Sequence, residues 1–137
     1  MQRFIDTWQV NNNINLFLIN SINDEYFLHH PIRKTSALSE QFLHIHNARM
    51  LWIRQNDPKL VDQIVRLNNG NKTKKEELQL ALIQSGEAIA TILERAIQTN
   101  KFRGFSTPLD FLNYILSMES QHRNNIIISL AFLSNHN

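Results

Sequence analysis

Apolar residues recur in this chain every three to four positions, in four stretches separated by polar punctuation. That spacing marks helices that bury one face. The first stretch runs from about Arg3 to Ile22, with Phe4, Trp8, Ile14, Leu18 and Ile22 broadly on one side, although its Asn-rich middle is poor helix-forming material. A short piece, Asp24 to Leu28, leads into His29-His30-Pro31, where the proline ends it. The second long helix is expected to open on Thr35 or Ser36 as N-cap and to run to about Gln55, ahead of Asn56-Asp57-Pro58. On it Leu38, Phe42, Ile45, Trp52 and, toward one flank, Ala48 share a face. Asp57 to Leu67 has room for a short helix, and Asn68 to Asn71 reads as a loop.

Thr73 with Glu76 three residues later forms a capping-box pattern. From there Leu78, Leu82, Ser85, Ile89, Ile92, Leu93 and Ala96 make one stripe that continues to about Thr99. A loop containing Gly104 follows, and Pro108 suits the first turn of a last helix reaching about Leu133. Phe111, Ile115, Met118, His122, Ile126, Ser129 and Leu133 lie within roughly a third of its circumference, centred near His122. Beyond Asn125 the run IIISLAFL is apolar nearly all round, so that end is expected to be buried on several sides or to pack a homodimer. The fold class expected is all-α, an up-and-down four-helix bundle in one domain over residues 1–137.

Composition narrows the functional classes. A chain of 137 residues with 42% apolar and 19% charged residues suits one globular core, and three Gly with three Pro leave little for a turn-rich β architecture. The net charge of +2 is scattered, which argues against nucleic acid as a partner. Cysteine is absent, so disulfides, zinc-thiolate sites and a catalytic thiol from this chain are excluded. No stretch approaches ~18 consecutive apolar residues, so no membrane span is expected and the simplest location is the cytoplasm. Neither a glycine-rich phosphate loop nor a nucleophile elbow is present.

The segments HIHNARMLW, SGEAIATILERAIQTNKFRGF and FLNYILSMESQHRNNIIISL resemble the DinB family of bacterial four-helix proteins, the DinB/YfiT-like metalloenzymes, over most of the chain from about Trp8 to Leu133. The second long helix of such proteins carries a His followed eight residues later by Trp, as His44 and Trp52 do here. Their last helix reads H-E-x-H-H-R-G-Q, with metal ligands at its first and fifth positions, and that pattern falls on Met118-Glu119-Ser120-Gln121-His122-Arg123-Asn124-Asn125. Of the three ligands the resemblance implies, His44 and His122 are retained and Met118 stands in place of the third. The family's enzymes are metal-dependent transferases or isomerases of low-molecular-weight thiols. The resemblance thus implies one divalent ion, zinc or nickel, held weakly or not at all because of Met118, and a small-molecule or thiol ligand.

His44 and His46 lie about 200° apart on a helix and cannot share one ion. His44 falls on the apolar flank and His46 farther toward the polar side, so His44 is the candidate ligand. His122 sits mid-stripe, where an unpartnered imidazole costs on the order of 1 to 3 kcal/mol, so a metal, a water or a polar side chain must satisfy it. Met118, one turn before, is an ordinary core residue whose thioether suits soft ions better than zinc. Glu119 and Arg123 have the spacing of an exposed helix ion pair. Asn125, Trp52, Ser85 and Tyr114 complete the candidate pocket, and Lys72, Lys74 and Lys75 mark a helix start. Two functions compete on these grounds: a DinB-like protein with a reduced metal site, and a metal-free bundle that binds a small ligand or dimerises.

Overall fold

A computed structural model describes residues 2–28, 37–67 and 73–136. Among them every regular element is helical: α1 (Gln2–Ser21), α2 (Asp24–Phe27), α3 (Leu38–Asn56), a 3-10 segment (Pro58–Gln63), α4 (Lys75–Thr99) and α5 (Pro108–His136). No helix among the described residues is long and apolar enough to cross a membrane. The all-α expectation is met.

Helix starts follow local chemistry with small shifts. Thr35 and Ser36, expected as the N-cap of α3, lie outside the described residues, as do His29 to Pro31 and the Asn68–Asn71 loop; the helix begins at Leu38, after an extended Ala37. The capping box of α4 sits one residue later than the sequence pattern placed it, because the Glu77 carboxylate, not that of Glu76, accepts the Lys74 backbone N–H at 3.3 Å. Lys75 donates to the Ile22 carbonyl at 2.7 Å, satisfying an acceptor just beyond the end of α1. Lys75 therefore has a structural use at this helix start, while Lys72 lies outside the described residues. Between α4 and α5, Asn100 takes the left-handed conformation that closes α4, with φ 53°. Gly104 has φ 102°, and a Cβ there would meet the Trp52 ring at 2.6 Å.

Two apolar clusters fill the interior. The first joins Ile5 and Trp8 from the start of α1 and Phe111, Leu112 and Ile115 from the start of α5 to the end of α3, at Met50 and Ile53, and the end of α4, at Ile89, Ile92, Leu93 and Ala96. The second joins Ile19, Ile22 and Ile126 to the starts of α3 and α4, at Leu38, Phe42, Ile45, Leu78 and Leu82. Consequently α1 and α5 run one way while α3 and α4 run the other. The expected up-and-down alternation is corrected: α3 and α4 are parallel. Their connection is no hairpin, since Leu60 and Ile64 pack into the first cluster, the Val65 N–H donates to Gln84 Oε1 at 2.7 Å and Leu67 reaches the second cluster. Parallel neighbours require such a return crossing.

Candidate functional site

Between the two clusters lies a layer of polar side chains drawn from all four long helices. At its centre Arg49 of α3 and Glu119 of α5 form an ion pair in which both side chains are 0% exposed. All five guanidinium N–H groups find acceptors. Nε donates to Glu119 Oε2 at 2.8 Å and Nη2 to Glu119 Oε1 at 2.8 Å, while Nη2 also reaches Asn12 Oδ1 at 2.8 Å. Nη1 donates to the Leu82 carbonyl at 3.0 Å and to Ser85 Oγ at 3.2 Å. The carboxylate is equally saturated, because Asn11 and Asn15 of α1 each donate an amide N–H to Oε1, at 2.9 and 2.8 Å. The carboxylate thus accepts four hydrogen bonds, three at Oε1 and one at Oε2. Arg123 closes the outer side by donating to the side-chain oxygens of both asparagines, at 2.8 and 2.9 Å. Trp8 lies under the Arg49 guanidinium, 4.8 Å from ring centroid to Cζ, and its own N–H donates to the Gly86 carbonyl at 2.8 Å.

This layer corrects the reading of Glu119 and Arg123 as an exposed surface pair. Glu119 is buried and turned to Arg49, and the stripe of α5 is centred nearer Glu119 than His122. Buried charges cost several kcal/mol each to desolvate, and only bidentate geometry with every remaining group bonded offsets that cost. Arg49 is absent from the sequence-derived candidates, because a charged residue does not count toward an apolar stripe. The signal was present, since Arg49 is four residues from Ile45 and from Ile53, inside the apolar stripe. Asn11 and Asn15, likewise in register with Trp8 and Ile19, are buried for the same reason.

His46 also belongs to this layer. Expected toward the polar side, it is 3% exposed, with Nδ1 at 3.3 Å from Ser85 Oγ. Burial, with the positive charges of Arg49 and Arg54 added, pushes its pKa from 6.5 down to about 4, so the ring is neutral. Ser85 is thus engaged by Arg49 and His46, apart from any metal pocket.

His44 and His122 come together on the outer edge of the same level. Their ring centroids are 6.3 Å apart and their planes 16° from parallel. His44 is exposed and His122 half-buried. Burial and the neighbouring His44 charge lower the pKa of His122, and Glu119 partly opposes the shift. The other expected pocket members lie elsewhere. Met118 packs half-buried against the first apolar cluster, and Asn125 is exposed. Trp52, two turns along α3 and about 12 Å from His44 by helix rise, makes tilted and edge-on contacts with Phe102, Phe105, Phe111 and Tyr114, with centroids 5.0 to 6.5 Å away. Trp52 and Tyr114 therefore build the end of the molecule that holds the Gly104 loop. Among the described residues no group of three His, Cys, Asp or Glu side chains is arranged to hold a metal. The donor set fits two protein ligands and does not fit a three-ligand catalytic centre.

Comparison with known proteins returns no matching family model, no matching curated protein and no matching solved structure.

Proposed function

We propose that the chain is a DinB-like four-helix bundle that holds one divalent cation, zinc or nickel, between His44 and His122, as a reduced form of the centre found in metal-dependent thiol transferases. The observation that carries this reading is the approach of two imidazoles from separate helices to 6.3 Å. Because His44 is exposed, water or an added thiol would fill the remaining coordination positions. With two protein donors the site is weak, and no catalytic step is assigned to it.

The test is a zinc and nickel titration by calorimetry, in a background where His29 and His30 are replaced by Gln to remove their own affinity. One ion per chain is expected, with affinity lowered roughly tenfold or more in His44→Ala and in His122→Ala. Met118→His is expected to tighten binding in the same background. Affinity unchanged by both alanine substitutions contradicts the proposal.

A second reading, a metal-free dimerising bundle, draws on a different feature. On α5 Ile126 is fully buried whereas Ile127 and Ile128 are 51% and 60% exposed. If α5 pairs two copies, Ile127→Lys together with Ile128→Lys converts a dimer to a monomer in light scattering. A monomeric parent chain rules that reading out.

A further inference from the structure

A pocket of about 460 Å³ opens between α3 and the crossing segment 58–67, on the side of α3 away from His44. This volume lies within the ~300 to 1,000 Å³ of small-molecule sites. Its walls combine apolar side chains, Met50 and Ile64 among them, with the side chains of Asn47, Arg54 and Arg66, and His46 also lines it. No Asp or Glu lines it. Neither guanidinium has a hydrogen-bond or ion-pair partner among the described residues, in contrast to Arg49, Arg95 and Arg123, whose guanidinium groups are all engaged. His46 is anchored through Nδ1 to Ser85, and its Nε2 takes no partner among the described residues.

We propose that this pocket binds a small organic carboxylate with an apolar body. The body would lie against Met50 and Ile64, and the carboxylate would meet Arg54 or Arg66. A guanidinium presents two parallel N–H groups that match a carboxylate, and two uncompensated positive charges beside an apolar wall select an anion over a neutral molecule of the same shape. The groove between α1 and α4 makes the contrast: of about 370 Å³, it is lined by Gln9, Asn12, Asn13 and Glu87 with no cationic side chain, and offers an anion nothing. This site is separate from the His44–His122 pair and stands or falls independently of it.

The probes are 4-phenylbutanoate and octanoate, each compared with its neutral amide, on the full chain. Calorimetry is expected to give one site that prefers carboxylate to amide roughly tenfold or more, the scale of one charge-assisted hydrogen bond. That preference should shrink with added salt, because the two guanidinium groups are exposed. In Arg54→Gln combined with Arg66→Gln the preference is expected to vanish while the thermal midpoint stays in place, and the Met50 methyl resonance is expected to shift on binding in the parent chain. Equal affinity for acid and amide, an unchanged preference in the double variant, or no saturable binding of either carboxylate overturns the proposal.

Discussion

Glu119 accepts hydrogen bonds from Arg49, Asn11 and Asn15 and meets no solvent. Glu119→Gln leaves the Arg49 charge buried without its counterion, and is expected to lower stability in urea unfolding by about 3 to 5 kcal/mol. Replacing both partners, Arg49→Met with Glu119→Leu, is expected to recover only part of that loss, since the pair's cost of desolvation disappears but the buried amides of Asn11 and Asn15 lose their acceptor. His46 gives a pH signature. Its folded pKa of about 4 lies below the ordinary 6.5, so as pH falls the unfolded chain takes up the proton first. Stability is therefore complete above about pH 6.5 and is lost between there and pH 4, by up to about 3 kcal/mol. His46→Gln is expected to flatten this acid limb in denaturation curves collected across that range.

The stripe of α4 is legible in the sequence: Leu78, Leu82, Ser85, Ile89, Ile92, Leu93 and Ala96 are all buried as the spacing predicts. On α1, α3 and α5 the spacing finds the helices and much of each inner face, including Trp8, Leu38, Phe42, Ile45, Phe111, Ile115 and Ile126, but omits the buried polar positions among them. Each of those three helices spends central positions on polar residues, Asn11 and Asn15, Arg49, and Glu119, that become apolar-like only when they meet one another. A single helix read alone cannot reveal such partners, so Ile14 was assigned inward and is 47% exposed. His44 and His122 are paired by the resemblance, with His122 placed mid-stripe, whereas on α5 it lies half-buried beside the buried Glu119. Gly86 shows how tightly the elements fit there. A Cβ on it would meet the terminal amide of Asn12, Nδ2 at 2.2 Å, and that amide is held in place by the Leu82 carbonyl and the Arg49 guanidinium. In a solvent-exposed helix Gly→Ala stabilises by about 1 kcal/mol. Here Gly86→Ala is expected to reverse the sign and destabilise by about 1 to 3 kcal/mol in thermal or urea unfolding.

At the scale of the molecule, parallel α3 and α4 bring one edge of α3 to α5 and leave the opposite edge to the crossing segment. The first edge holds the imidazole pair and the second the arginine-lined pocket. The hydrophobic pattern carried no information on helix direction, because an apolar stripe reads the same along either orientation; the length of the connection from Asp57 to Lys74 was the available clue. The central claim is that His44 and His122 act on one ion, and electron paramagnetic resonance of a single bound Cu(II) reads this directly through imidazole nitrogen couplings. In the chain carrying His29→Gln and His30→Gln, two equivalent imidazoles per copper are expected, falling to one in His44→Ala and to one in His122→Ala. A spectrum showing a single imidazole, or one that keeps both couplings after either histidine is removed, contradicts the account.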